Sequence, residues 1–426
     1  MTTGHPGETD RSSPQKTAMN DIFAPQAPPR YEIEDDDLLI NVGTPPEKYS
    51  GAYLTETYKV NMGPQHPSTH GVLRLELTMD GEVVLNVRPH IGYLHRCFEK
   101  HAENLPYAGI VPYTDRMDYI AGISQNMGFA VAVERMMGIK VPERVEYIRV
   151  IVCELQRIAS HLVAFGTYGL DMGAFTPFLW AFRDREKILD LLEWLTGARM
   201  LYNYIWVGGL ARDLPEGWTD KAREFLDYFE PKIQDFNDLL TYNYIFIART
   251  ANVGILPPDV AISYGVTGPN LRGSGVDWDL RRDDPYSIYD RFQWNVATGT
   301  GEFGTIGSCW DRYWVRIAEM AESIKICRQA LEGLPKDGDV HETIPRKVRP
   351  PKGDVYARTE TPRGDLGYYI ISDGSDVPLR CKARSPCFTA ISSIDAIVQH
   401  SKTPMLIADI VATVASFDIV LGEIDR

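Results

Sequence analysis

The sequence predicts an α+β fold with a central long helix bundle, a β-rich lobe before it in the chain and a β-hairpin after it. Three observations predict this class. Hydrophobic residues recur at spacings of three and four over much of the region between residues 115 and 331. Apolar and polar residues alternate before that region and again after it, each time around an Asp-Gly turn. The sequence has no dinucleotide fingerprint and no internal repeat, which argues against a doubly wound sheet or a solenoid.

The composition is that of a large globular protein. Of the 426 residues, 44% are hydrophobic and 11% are aromatic, which is sufficient for an extensive core. The formal net charge of -14, without a compensating basic run, argues against general nucleic-acid binding. The longest apolar stretch, residues 405–421, is interrupted by Asp409 and Asp418, so we expect it not to span a membrane.

The six cysteines form no Cys-x-x-Cys pair. This scattered distribution indicates free thiols in a reducing compartment rather than a disulfide framework. We therefore expect that this chain binds no metal cluster through its own cysteines, and that any iron–sulfur cluster belongs to a partner.

Four regions are predicted along the chain. Residues 1–50 contain seven prolines and the acidic run Glu34–Asp37, a composition that cannot bury a core, so we expect an extended Pro-rich acidic arm. Residues 51–96 are predicted to form the β-rich lobe, and residues 97–345 the helix bundle. Residues 346–426 are predicted to form a hairpin and helices that close the core.

The most informative turn of the β-rich lobe is Gly63–Gly71, which carries His66 and His70. Its prolines and glycines favour a tight turn. A hairpin follows, in which apolar residues alternate from Leu73 to Met79 and again from Val83 to Val87. We expect His70 at the mouth of a rigid loop, although histidines that only cap backbone groups of the turn remain an alternative.

The first long helix is predicted to begin at Asp115, whose carboxylate can cap it. Apolar residues at helical spacing follow, and Gly138 can end the helix. This assignment places Tyr119 in the first turns of that helix.

The strongest helical pattern follows Pro142, where apolar residues recur at spacings of three and four as far as Phe165. We expect Gly166 and Gly169 to break this helix. Asp171 would then lie at a junction between two helices.

Further helices and one more hairpin complete the prediction. The helices are expected near residues 177–197, 218–240 and 311–331, and the hairpin is expected to pair residues 368–372 with residues 379–383.

Five of the nine histidines lie in one short region, which raises the question of a metal site: His66, His70, His90, His95 and His101. Their spacing argues against one. Pro67 prevents His66 and His70 from sharing a helix face, and no His-Glu-x-x-His motif is present. We therefore predict no metal ligands.

A loop histidine can instead hydrogen-bond and protonate a redox-active carbonyl, provided that a phenol or a carboxylate faces it across a pocket. The candidate catalytic residues for such chemistry are His70, Tyr119 and Asp171.

Several longer motifs resemble one family, the large quinone-site subunit of respiratory complex I, known as the D subunit or the 49-kDa subunit. The resemblance extends from about residue 55 to residue 426. Its motifs include Gly63–Gly71, Pro89–Arg96, Pro112–Tyr119, Gly197–Met200, Pro257–Arg272, Ser372–Ser375 and Asp418–Arg426. The resemblance implies a fold like that of the large subunits of nickel–iron hydrogenases.

The resemblance also implies roles for individual residues. His70 and Tyr119 match the residues that bind and protonate the quinone headgroup, and Asp171 matches the carboxylate behind that histidine. Arg96 and Arg116 match arginines placed near the terminal iron–sulfur cluster of the adjoining small subunit.

Two positions depart from the family pattern. Leu201 stands where a histidine is expected near the terminal cluster, which places proton-linked tuning of that cluster in question. Cys97 stands where glycine is common, and we interpret it as a small buried residue without a functional role.

The function implied by the resemblance is that of a quinone-binding peripheral-arm subunit of a proton-translocating NADH:quinone oxidoreductase, inactive in isolation. The implied partners are the small iron–sulfur B subunit, the 30-kDa C subunit, the ferredoxin-like I subunit and the membrane H subunit. The implied location is the cytoplasmic side of the bacterial inner membrane, which the chain reaches through its partners. Either ubiquinone or menaquinone fits this prediction, and the electron donor can be NADH or ferredoxin.

Two other classes of function are compatible with parts of the sequence. A hydrogenase-like membrane complex would need two Cys-x-x-Cys pairs to hold nickel, and this chain has neither. In a non-catalytic scaffold, apolar residues could stand in place of His70, Tyr119 and Asp171, since buried polar side chains without partners are destabilising. The presence of all three therefore argues against a purely structural role.

Overall fold

A computed structural model describes residues 57–345 and 347–426. In this part of the chain the fold is α+β, with antiparallel sheets and a majority of helical elements, as predicted. The acidic arm predicted for residues 1–50 lies outside the described residues.

The strands and helices have the following bounds. The strands are β1 (Tyr58–Met62), β2 (Arg74–Asp80), β3 (Val83–His90), β4 (Ile205–Trp206), β5 (Gly209–Leu210), β6 (Gly353–Thr361), β7 (Gly364–Ser372), β8 (Arg380–Arg384) and β9 (Met405–Leu406). The α-helices are α1 (Phe98–Ala102), α2 (Tyr107–Thr114), α3 (Gly122–Met137), α4 (Glu143–Asp171), α5 (Phe175–Thr196), α6 (Trp218–Phe229), α7 (Lys232–Phe236), α8 (Tyr244–Thr250), α9 (Pro258–Ser263), α10 (Pro269–Gly273), α11 (Leu280–Asp283), α12 (Cys309–Gly333), α13 (Pro386–Ser392), α14 (Ile394–His400), α15 (Ile407–Phe417) and α16 (Leu421–Asp425).

The first sheet has the strand order β1-β2-β3-β9 and is antiparallel. The predicted hairpin is confirmed as β2 and β3, with Leu77 opposite Val87. The apolar residues of β2 are buried on one face, whereas the residues between them are only partly covered, which is the alternation expected of a half-buried strand. Strands β1 and β9 pair with the two edges of the hairpin and were not predicted from the sequence.

Helix α4 is the centre of the bundle and packs along α5 and α12. It runs for 29 residues and does not end at its glycines, so the predicted break was wrong. A Cβ atom on Gly166 would lie 3.1 Å from the Phe178 Cα atom, and one on Gly169 would lie 3.1 Å from the Pro177 Cβ atom. These glycines therefore permit close approach of α5 rather than ending α4.

The prediction that a helix begins at Asp115 was also wrong, because α3 begins at Gly122. Asp118 Oδ1 accepts the backbone N–H groups of Ile120 at 3.1 Å and Ala121 at 3.2 Å, which holds these residues in a turn. The Asp115 carboxylate instead accepts the backbone N–H of Asn203. Tyr119 consequently lies in a turn before the helix, not within it.

Two other long helices agree with the prediction. Helix α5 ends at Gly197, whose φ of 84° is the left-handed conformation that glycine adopts readily at a helix C-terminus. Helix α12 begins with a capping box between Ser308 and Asp311. The helix expected over residues 218–240 is divided between α6 and α7 at Pro231, which has no N–H to continue the hydrogen-bond ladder, and a π-helical turn follows α7.

The second predicted hairpin is confirmed as β7 and β8, but it belongs to a three-stranded sheet that also contains β6. Helix α3 packs on β6 and β7. Arg363 lies in the tight turn between these two strands, and it is almost fully buried.

Within the described ranges, the structure has no helix that combines the length and the apolar character required to cross a membrane. The apolar stretch at residues 405–421 forms β9, α15 and the turn that follows, and much of it is buried in the core under the first sheet.

Candidate functional site

His70 is fixed by the backbone of its turn. It follows a 3-10 turn at Pro67–Thr69 and has a left-handed conformation with φ of 49°. The turn is closed by His66, whose Nδ1 atom accepts the backbone N–H of Ser68 at 3.2 Å, and by Thr69, whose hydroxyl donates to the His66 carbonyl at 2.8 Å. The His70 imidazole is 15% exposed, so the turn presents it at the edge of the core.

Asp171 is the last residue of α4, and the structure brings it to His70. The His70 Nε2 atom lies 3.5 Å from the Asp171 Oδ2 atom, and the Asp171 side chain is 10% exposed. The contact is an ion pair only when the imidazole is protonated, and the two atoms do not form a hydrogen bond. Within the described residues the buried His70 Nε2 atom has no hydrogen-bond partner.

Tyr119 is half-buried in the turn between α2 and α3. Burial raises the pKa of the Tyr119 phenol, the charge of the adjacent Asp118 adds to that increase, and the charges of Arg363 and Arg96 oppose it. The phenol therefore remains protonated at neutral pH and can donate a proton or a hydrogen bond.

Arg96 and Arg116 lie together at the surface. The Arg96 Nη2 atom donates to the Arg116 carbonyl at 2.5 Å, and the Arg116 Nη1 atom donates to the Pro112 carbonyl at 2.7 Å. Both line a cavity of about 470 Å³. Other residues that line it are Phe98, His101, Met117 and Arg426. Three arginines thus surround a largely apolar cavity that begins close to the Tyr119 turn.

Two buried residues beside Tyr119, Asp118 and Arg363, were not predicted as site residues. The Arg363 Nη1 atom donates to Asp118 Oδ2 at 2.7 Å, and neither side chain is more than 1% exposed. Asp118 belongs to the recognised motif Pro112–Tyr119, and Arg363 stands between Pro362 and Gly364 at a turn. The only local sign in the sequence is an arginine within a Pro-Arg-Gly turn. The ion pair itself joins segments that are far apart in the sequence.

The two departures from the family pattern share a backbone feature. Cys97 has φ of 59° and Leu201 has φ of 60°, which places both in the left-handed region that favours glycine. Cys97 is exposed, so its interpretation as a buried residue was wrong, whereas the other five cysteines are buried. Among the residues that the structure describes, no group of three or more His, Cys, Asp or Glu side chains is arranged to bind a metal ion.

Comparisons with known proteins identify the class. Residues 171–426 match the family model described as "Respiratory-chain NADH dehydrogenase, 49 Kd subunit". The chain belongs to this family, the 49-kDa subunits of respiratory complex I.

Similar proteins in three bacteria are named as D subunits of NADH-quinone oxidoreductase. The protein of Chlorobaculum tepidum is 56% identical over 375 residues, which cover 87% of this chain and 93% of that protein. The protein of Chlorobium luteolum is 57% identical over 375 residues, which cover 87% and 94%. The protein of Cytophaga hutchinsonii is 54% identical over 376 residues, which cover 86% and 95%.

Proposed function

We propose that this chain is the quinone-binding subunit of the peripheral arm of a proton-translocating NADH-quinone oxidoreductase. The observation that carries the proposal is the pair formed by His70 and Asp171, in which a buried imidazole nitrogen faces a carboxylate at 3.5 Å and has no hydrogen-bond partner in the described structure. The names of the relatives support the proposal, because they belong to subunits of a quinone-reducing enzyme.

The side chains fit a quinone headgroup. A bound quinone supplies two carbonyl oxygens that take up two electrons and two protons. The His70 imidazole, with the Asp171 carboxylate behind it, binds one carbonyl oxygen and donates a proton to it. The Tyr119 hydroxyl binds the other oxygen and donates its proton, and the protonated phenol is the form that burial favours.

Asp171 also provides a route for coupling. When His70 gives up its proton, the carboxylate of Asp171 loses the positive charge that compensates it. The change in electrostatic balance at the end of α4 is then transmitted to a membrane partner, where it drives proton translocation.

Partners complete the reaction and the attachment to the membrane. In this proposal the cavity lined by Arg96 and Arg116 meets the small iron–sulfur B subunit, whose terminal cluster supplies the electrons. The 30-kDa C subunit and the ferredoxin-like I subunit complete the peripheral arm, and the membrane H subunit holds the chain on the cytoplasmic face of the bacterial inner membrane.

The test uses membranes that contain the assembled complex with Tyr119→Phe or His70→Ala. Quinone reduction should decrease about 100-fold in each variant, because each loses one proton donor, while electron transfer to an artificial upstream acceptor is retained. Tyr369→Phe is a matched control, since Tyr369 lies on the exposed face of β7. Unchanged quinone reduction in both site variants would contradict the proposal and leave a scaffold role.

A further inference from the structure

We propose that Arg363 is a positioning residue of the quinone site, which holds Tyr119 in place through Asp118. This inference depends on the proposed function, because it assigns a partner to the phenol of that site. Arg363 does not belong to the segments that carry the candidate trio, and it acts through the turn before α3.

The backbone of Arg363 is held on both sides. The Thr361 hydroxyl donates to the Gly364 carbonyl at 3.0 Å and closes the turn between β6 and β7. On the other side Gly268, with φ of 67°, packs so closely that a Cβ atom there would lie 2.6 Å from the Arg363 carbonyl oxygen. The guanidinium is therefore presented from a fixed turn.

The guanidinium joins three separate parts of the core. It donates to Asp118 Oδ2 at 2.7 Å, to the Ser160 hydroxyl of α4 at 3.0 Å and to the Asp418 carbonyl at 2.9 Å. A further contact at 3.3 Å reaches Asp418 Oδ1. These contacts use three nitrogens of the planar guanidinium, Nη1, Nε and Nη2, whereas a lysine presents its N–H groups from a single nitrogen.

Asp118 transmits this arrangement to the Tyr119 turn. One carboxylate oxygen binds Arg363, and the other accepts the N–H groups of Ile120 and Ala121, the two residues after Tyr119. The carboxylate thus fixes the backbone on both sides of the tyrosine. If the carboxylate rotated, the turn would lose its hydrogen bonds and the phenol would move.

The positive charge of Arg363 lies beside this buried carboxylate, with Nη1 2.7 Å from Oδ2. Burial raises the pKa of Asp118 and the charge of Asp418 raises it further, while Arg363 opposes both effects. Asp118 is completely buried, so without the guanidinium it would be an uncompensated buried charge.

The first experiment is Arg363→Lys in the assembled complex, with a short-chain quinone that wild-type membranes reduce as the probe. The substitution retains the positive charge and removes the fork. We expect kcat/KM for the quinone to decrease about 10-fold, with both a higher KM and a lower kcat, because the phenol is displaced. Electron transfer to the upstream acceptor should be unchanged. Arg380→Lys is the matched control, since Arg380 is about half exposed on β8 of the same sheet.

A double-variant cycle with Tyr119→Phe decides whether Arg363 acts through Tyr119. In the Tyr119→Phe background, Arg363→Lys should produce little further loss of quinone reduction, because the hydroxyl that it positions is already absent. Independent, multiplicative losses would overturn the inference and leave the proposed function intact. A normal quinone reaction in both Tyr119→Phe and His70→Ala would instead contradict the proposed function itself.

Asp118→Asn keeps the test decisive if Arg363→Lys prevents assembly. Asparagine retains one oxygen for the N–H groups of the turn and removes the charge that Arg363 binds. The inference predicts the same decrease in kcat/KM for quinone, with the upstream reaction retained. Wild-type quinone kinetics in this variant would overturn it.

Discussion

His70 Nε2 lies 3.5 Å from Asp171 Oδ2, although His70 ends a turn between β1 and β2 of the first sheet and Asp171 ends the longest helix of the bundle. The relationship depends on α4 remaining helical beyond Gly166 and Gly169. Because these glycines pack against α5 instead of ending the helix, Asp171 is held at the helix terminus, where its carboxylate reaches the imidazole. Helix packing and the candidate site are therefore connected through α4.

Asp171→Asn is expected to decrease quinone reduction at least about 10-fold, because the side chain that faces the His70 imidazole loses its negative charge. Proton translocation per quinone reduced should also decrease, while electron transfer to an upstream acceptor remains normal. Both reactions can be measured in the same membrane vesicles. Asp190→Asn is a suitable control, since Asp190 is 71% exposed on α5. If quinone reduction and proton translocation were both unchanged in Asp171→Asn, the coupling role of Asp171 would be wrong.

Gly166→Ala is expected to destabilise the protein although alanine has the higher helix propensity. The new Cβ atom would lie 3.1 Å from the Phe178 Cα atom, and backbone of a packed helix cannot move aside freely. We expect a loss of about 1–3 kcal/mol in the free energy of unfolding, visible as a lower temperature of half-inactivation of quinone reduction.

The control for this prediction is Gly109→Ala in α2, where the nearest atom to the new Cβ would be 3.6 Å away. That substitution should stabilise the protein by about 0.5–1 kcal/mol, because it only lowers the entropy of the unfolded chain. Equal effects of the two substitutions would show that helix packing at Gly166 is not tight.

Cys97→Gly is expected to stabilise the protein slightly without changing its electron transfer. Cys97 is exposed and has φ of 59°, a conformation in which a Cβ atom is unfavourable. After the greater freedom of glycine in the unfolded chain is subtracted, the gain should be about 0.5 kcal/mol. Cys97→Ala retains the Cβ atom and should give no gain, so a thermal scan of the two variants separates backbone conformation from loss of the thiol.

The sequence predicted those elements whose signal is local and repeated. The alternation around Leu77, the long stripe of α4 and the core positions of α12 each recur over many residues, and a pattern of that length identifies its own secondary structure. The hairpin of β7 and β8 was predicted for the same reason, since a turn signal separates two alternating segments.

The errors came from positions whose role is set by distant residues. Gly166 resembles a helix breaker in sequence, and only the approach of Phe178 shows that it is a packing residue. Asp115 resembles a helix cap, but its carboxylate accepts the backbone N–H of Asn203. The hydrogen bond that holds the turn before α3 is accepted by Asp118 instead. The pairing of Asp118 with Arg363 joins two segments that no local pattern relates, so this part of the candidate site could not be predicted from the sequence.

Asp115 provides a test of the electrostatics around the Tyr119 turn. Burial raises the pKa of this carboxyl from 3.8 to about 6, while the N–H of Asn203 and the charge of Arg116 oppose the increase. A folded-state pKa above the unfolded value means that the folded protein binds more protons, so the free energy of unfolding falls as pH rises from about 4 to 6.

Asp115→Asn removes this penalty and retains an oxygen for the Asn203 N–H. At pH 7.5 the variant should therefore be more stable than the wild type, by at most about 3 kcal/mol, and the difference should become smaller near pH 5 because the wild-type carboxyl is then largely protonated. Thermal midpoints of the purified complex at the two pH values measure the effect, with Asp220→Asn as a control because Asp220 is 76% exposed. A stability difference that is the same at both pH values would show that the charge of Asp115 is not destabilising and that the substitution acts through packing alone.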